Sequence, residues 1–101
     1  MQGKDVKIGD LREGMRRVNV EGTIEEISET KEVRSRFTGE KLKVATAKLS
    51  DESGKIDLVL WNDQIDQVAP GDKVRIENGY VSSFRGTKQL NVGRYGKLLK
   101  V

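Results

Sequence analysis

Three aromatic residues, Trp61, Tyr80 and Phe84, are the side chains of this sequence best placed for chemistry, and that chemistry is stacking. Trp61 is the only tryptophan, and it ends the run Lys55-Ile-Asp-Leu-Val-Leu-Trp61. A strand sends successive side chains to opposite faces, so burying Ile56, Leu58 and Leu60 turns Trp61 outward with Lys55, Asp57 and Val59. The segment Gly79-Tyr-Val-Ser-Ser-Phe-Arg-Gly86 adds Tyr80 and Phe84 at alternating positions. Exposed aromatics among basic residues suit single-stranded nucleic acid. Each stacked base is worth about 1–3 kcal/mol, with little sequence preference because every base has a π-face. Two or three such contacts with phosphate pairing reach about micromolar affinity or better. The competing structural readings are that Trp61 covers a barrel mouth or a helix, and that Tyr80 or Phe84 packs into a core.

Basic residues stand near these aromatics. Arg85 and Lys88 flank Phe84, and Arg34, Arg36, Phe37 and Lys41 surround the turn signal Phe37-Thr-Gly-Glu40, where a basic arm can fold over a bound strand. For Lys41 and Lys43 a solvated hairpin surface is an equal alternative to the arm, and Phe37 is open as a contact or a hairpin-packing residue. Arg94 and Lys97 would extend the track. From Tyr80 to Val101 there is no acid, whereas acids collect in 21–32 and 51–72. Such separation along the chain allows one positive face, an electrostatic footprint for phosphate, although a solvated surface is the plainer alternative.

Composition argues against catalysis. The chain has no histidine and no cysteine, which removes the common nucleophilic dyads, zinc sites and general bases. Asp63 with Asp66 and Asp51 with Glu52 lack further convergent ligands, so they read as a polar helix face and a turn. No enzyme activity, cofactor or metal is expected. The N-terminal residues carry no secretory stretch and no run approaches the ~20 apolar residues of a membrane span, so a soluble protein, cytoplasmic and nucleoid-associated, is expected with no membrane partner.

The elements that must position these residues follow from patterning. With 101 residues, the chain is read as one domain over 1–101. Ile8, Leu11 and Gly14 predict a short helical turn. Val18, Val20 and Ile24 predict a first strand over 17–25, with a bulge near Glu25-Glu26. A second strand, Leu42 to Ser50, turns Ala45, Ala47 and Leu49 inward, and Asp51-Glu-Ser-Gly54 leads into the third, Lys55 to Trp61, through a turn with Gly54 at positive φ. Asn62 is a candidate N-cap for a helix of about two turns placing Ile65 and Val68 or Ala69 on one face, ended by Pro70-Gly71. A fourth strand from Lys73 needs a bulge at Gly79 to turn Tyr80 and Phe84 outward. Arg85-Gly86-Thr87 is the turn to a fifth, Lys88 to Val92, and Leu98-Leu99 form a closing segment. Five strands with a helix only between the third and fourth predict an all-β, five-stranded Greek-key OB-fold barrel; an SH3-like barrel is the alternative without that helix.

Leu58-Val-Leu-Trp-Asn-Asp-Gln64, Pro70-Gly-Asp72, Ile76-Glu-Asn-Gly-Tyr-Val-Ser-Ser-Phe-Arg-Gly86 and Gln89-Leu-Asn-Val-Gly93 occur in order and at compatible spacing. Over Ile8 to about Gly93 the sequence resembles the OB domains of archaeal single-stranded DNA-binding proteins and archaeal replication protein A, with their eukaryotic single-OB relatives. The resemblance implies that Trp61, Tyr80 and Phe84 stack on bases and that Arg85 and Lys88 contact phosphates. Tyr80 departs from the tryptophan common at its position, which weakens stacking there. The tails, further OB domains and zinc-binding segment of many relatives are absent, so the chain is compatible with being one domain of a longer protein. The expectation is non-catalytic, largely sequence-independent binding of single-stranded DNA in replication, repair or recombination, with replication or repair proteins as further partners. An RNA-binding OB domain and an OB protein-interaction adaptor in a replication assembly are the alternatives.

Overall fold

Alternation of apolar and polar residues makes strands in this chain long enough to wrap round a core. The computed structural model describes residues 4–92 and 96–101. Its elements are β1 (Lys4–Asp5), a 3-10 turn (Ile8–Asp10), β2 (Arg16–Ile27), β3 (Lys31–Arg34), β4 (Lys41–Asp51), β5 (Gly54–Trp61), α1 (Asp63–Gln67), β6 (Lys73–Phe84), β7 (Thr87–Asn91) and β8 (Lys97–Lys100). β2 pairs β4, β4 pairs β5, β5 runs parallel to β7, β7 pairs β6, and β6 returns to β2. That circuit closes a five-stranded OB-fold barrel with α1 between its third and fourth strands. β3 pairs the start of β4 to form an arm outside the barrel, β8 pairs β6, and β1 lies parallel to β2. Among the described residues no helix is long and apolar enough to cross a membrane.

The core draws on the inward faces that alternation marks: Val18, Val20 and Ile24 of β2, Ala47 and Leu49 of β4, Ile56, Leu58 and Leu60 of β5, Val74, Ile76 and Val81 of β6, and Leu90 of β7. Ile8 and Leu11 seal the end beside the β4–β5 turn, where the Gly9 amide donates to Ser53 Oγ at 2.7 Å. Val68 and the half-buried Ile65 seal the other end, after β5.

Several local expectations are corrected. A bulge lies between Ile24 and Glu26, as expected, but the irregularity of β6 is centred before Gly79. Val20 pairs Ile76 and Val18 pairs Gly79, so the extra residue falls in Glu77-Asn78, and Asn78 takes the positive φ of 58°. The Asn78 amide donates to Oδ1 of the buried Asn19 at 3.0 Å, which holds the bulge. Gly79 serves close approach instead: a Cβ there would lie 2.8 Å from the Asn91 carbonyl oxygen and 2.9 Å from Ile76 Cγ2. Asn62 stands at the N-cap of α1, as expected, but its side chain makes no capping hydrogen bond to that short helix; its Oδ1 accepts from the Lys43 amide at 3.0 Å and so extends the β4–β5 ladder. β5 also buries Val59, expected outward, between Thr46 and Asn91 on the neighbouring strands.

Gly54 is not among the positive-φ glycines, because a carboxylate makes the turn. Asp51 Oδ1 accepts from the Ser53 amide at 2.6 Å, Ser53 Oγ at 2.5 Å and the Gly54 amide at 3.1 Å, while Oδ2 accepts from the Ile8 amide at 2.9 Å. Burial opposes the charge of Asp51, but these hydrogen bonds outweigh it and hold the pKa below the usual carboxylate value. Stabilisation from a depressed carboxylate is present above the unfolded value of about 3.9 and is lost as pH falls through the folded one. Asp51→Ala is expected to cost about 1–3 kcal/mol at neutral pH by leaving these amides unpaired. In urea titrations the gap to the unaltered protein should narrow below about pH 4.

Candidate nucleic-acid interface

Pairing across the barrel sets which side chains share its outer face. One row runs Thr46, Val59, Asn91, Tyr80, Arg16 across β4, β5, β7, β6 and β2. A second, two residues along, contains Lys48, Asp57, Gln89 and Ser82. Trp61 lies beyond the first row, opposite Val44, and Phe84 lies beyond the second, opposite Thr87. The three aromatics therefore form a diagonal on one face. From strand spacing and rise, their Cα atoms lie about 12 Å apart from Trp61 to Tyr80 and about 13 Å from Tyr80 to Phe84. Trp61 is 40% exposed, Tyr80 42% and Phe84 59%, in contrast to the closed aliphatic core beneath them. Half-exposed rings on a rigid sheet are held in place while leaving a face open.

Each aromatic is fixed differently. The Trp61 amide donates to Gln64 Oε1 at 3.0 Å, tying the strand end to α1. Tyr80 follows Gly79, whose lack of a Cβ lets β7 approach. Phe84 precedes a two-residue turn in which Arg85 and Gly86 have φ of 53° and 81°, the paired positive angles of a type I′ hairpin, so Thr87 already belongs to β7. The Arg85 guanidinium carbon stands 5.1 Å from the centre of the Phe84 ring, a cation–π contact that places a positive charge beside that ring.

Between the aromatics the face is polar. Asn91 Nδ2 donates to Ser82 Oγ at 2.9 Å and to the Gln89 carbonyl at 3.4 Å. Lys48 Nζ donates to Asp57 Oδ1 at 2.6 Å, which raises the Lys48 pKa through the hydrogen bond first and the charge second.

The arm carries this surface further than the sequence indicated. Lys31 pairs Val44, which pairs Trp61, and Val33 pairs Leu42, so Lys31, Val33, Leu42 and Val44 lie on the Trp61 face. Alternation with the inward Ala45 already marks Val44 as outward; hairpin register adds Lys31 and Val33, because a run of mixed charge does not show the boundaries of β3. Arg34 and Lys41 pair each other on the opposite face of the arm, with Arg34 Nη1 donating to the Gly39 carbonyl at 3.4 Å. Arg36 and Phe37 sit in the turn at its tip, where Phe37 is 98% exposed. Lys88 does not join Phe84: it shares the parity of the buried Leu90, and its Nζ donates to the Leu11 carbonyl at 2.9 Å, so it ties down the lead-in turn. Arg94 and Gly93 lie outside the described residues. Lys97 is exposed on β8 opposite Glu77.

Ion pairing divides the surface. Arg75 meets Asp5, Glu21 and Glu77, Lys7 meets Glu52, Lys55 meets Glu25, and Lys100 meets Asp72. These pairs engage Glu21 and Glu25 of the first acidic stretch and Glu52 and Asp72 of the second. Arg16, Lys31, Arg36 and Arg85 make no ion pair among the described residues. No group of three or more acids that could hold a metal ion occurs among the described residues.

A family model described as single-stranded DNA binding protein Ssb-like, OB fold, matches residues 10–100. The single-stranded DNA binding protein Ssb of Saccharolobus solfataricus is 33% identical over 92 residues, covering 91% of this chain and 61% of that protein. The chain thus spans under two thirds of that relative. Among solved structures, an OB domain from Thermoplasma acidophilum superposes with a TM-score of 0.82 at 30% identity, covering 97% of this chain and 88% of the other. A replication factor A related protein from Methanobacterium thermoautotrophicum gives a TM-score of 0.80 at 22% identity over 97% and 91% of the two chains, a likeness of fold.

Proposed function

The chain belongs to the Ssb-like OB-fold family of single-stranded DNA binding proteins, and on that premise we propose that it binds single-stranded DNA without catalysis and with little sequence preference, in replication, repair or recombination. Trp61, Tyr80 and Phe84 stack on bases; Arg85 and Arg36 meet phosphates, with Arg34 and Lys41 reached where the strand passes round the arm and Phe37 capping its end. Lys88 supports the site by anchoring the lead-in turn. Replication or repair proteins are further partners, and the domain over 1–101 acts at the nucleoid, alone or within a longer chain. The observation that carries this reading is the diagonal of half-exposed aromatics on one barrel face, rimmed by cations that make no ion pair among the described residues. A span of about 22 Å from Trp61 to Phe84 suits about four nucleotides, the lower end for one OB-fold.

Competition of matched DNA, RNA and duplex oligomers against labelled oligothymidine tests the reading. Strongest displacement by single-stranded DNA supports it; preferential displacement by RNA or duplex, or no oligothymidine binding, contradicts it. A second expectation concerns the charge within the track. Asp57→Asn removes a negative group and releases Lys48, so oligothymidine affinity should rise several-fold. The salt dependence should steepen by about 0.7 in log K against log salt, one further phosphate contact on a single strand. Unchanged affinity and slope would place the nucleic acid elsewhere.

A further inference from the structure

Arg16 and Arg17 stand where the barrel face turns onto β2. Arg16 pairs directly with Tyr80, and the register shifts between Arg16 and Val18, so Arg17 is the extra residue of a bulge. Its φ is 54°, in the left-handed region that an arginine side chain disfavours and glycine or asparagine tolerates. Bulges re-aim side chains and are over-represented next to functional sites, and strained positions cluster at ligand clamps. Both arginines are exposed, and among the described residues neither makes an ion pair or side-chain hydrogen bond. The arginines of β6 and its following turn are engaged by contrast, Arg75 by three carboxylates and Arg85 by Phe84.

We propose that Arg16 and Arg17 form a phosphate clamp on single-stranded DNA, gripping the backbone beside the base stacked on Tyr80. The proposal rests on the function given above and adds a phosphate contact to it. A strand stacked on Trp61, Tyr80 and Phe84 passes the arginine pair at Tyr80, with which Arg16 pairs directly. A free guanidinium pair with planar, bidentate donors suits phosphodiester oxygens. Charge complementarity selects this occupant, since the row that Arg16 continues carries Tyr80, one of the three aromatics of the base platform.

The test is the salt dependence of oligothymidine binding by Arg16→Gln/Arg17→Asn, in which asparagine keeps the left-handed bulge, and by Arg16→Lys/Arg17→Lys. Loss of two phosphate contacts lowers the slope of log K against log salt by about 1.4. The affinity deficit of the Gln/Asn variant is therefore about sevenfold larger at about 50 mM than at about 200 mM salt. The lysine variant should keep the slope, and Arg17→Gly, suited to the same φ, should lose about half as much with an undiminished melting temperature. Parallel salt lines for the folded Gln/Asn variant, or an equal loss in the lysine variant, overturn the clamp while leaving the stacking platform standing. Absence of oligothymidine binding by the unaltered protein overturns the function on which the clamp depends.

Discussion

Trp61→Ala is expected to weaken oligothymidine binding by about 5- to 150-fold, the equivalent of about 1–3 kcal/mol for one lost stacking platform. The fold should barely register the change, with a stability loss of at most about 1 kcal/mol, because the ring projects from the outer face and is 40% exposed. Tyr80→Ala should act by the same mechanism. The two positions are about 12 Å apart with no shared partner, so their effects should nearly add. The double variant would then bind too weakly for saturation at micromolar protein. Fluorescence anisotropy of a labelled oligomer measures both losses, and urea unfolding of the same variants separates them from damage to the barrel.

Leu60→Ala should do the reverse. Leu60 neighbours Trp61 in β5 but faces the core, where it is fully buried among the aliphatic side chains of the barrel. Truncating a buried leucine costs about 2–5 kcal/mol through lost burial and the cavity left behind. Against a typical total of about 5–15 kcal/mol, that is a large fraction of the stability of a small domain. The urea midpoint should fall sharply, while the population still folded in the absence of urea should bind oligothymidine with near-unaltered affinity. Two adjacent residues thus separate stability from binding, because strand alternation assigns them to opposite faces.

That same alternation explains what could be read without coordinates. Ile56, Leu58 and Leu60 against Trp61, and Val81 against Tyr80 and Phe84, are period-two patterns, and every one of these residues lies on the side its parity indicates. Bulges were harder to place. Gly79 invites a bulge, yet the extra residue lies before it and Asn78 adopts the left-handed angle, held by the distant Asn19. Arg17 offered no signal at all, since arginine is an unusual residue for positive φ. Lys88 is set apart from Phe84 by long-range pairing. Nearness in sequence to Phe84 suggested a shared role, but a two-residue turn reverses the chain and parity then sends Lys88 to the barrel end and the Leu11 carbonyl. Long-range pairing alone places Arg16 beside Tyr80 and Lys31 in line with Val44 and Trp61. Where local spacing decides orientation, the site was legible; where a partner strand decides it, it was not.

Trp61 fluorescence during titration with short oligothymidine, and with duplex of equal length, at low and high salt, tests the central claim most directly. As the only tryptophan, Trp61 reports stacking from one known position. The expected result is saturable quenching by the single strand alone, with affinity falling as salt rises because phosphate contacts release counterions. Unchanged fluorescence, with binding equally absent by anisotropy, would contradict the base platform and leave the aromatic face as an anchor for a protein partner.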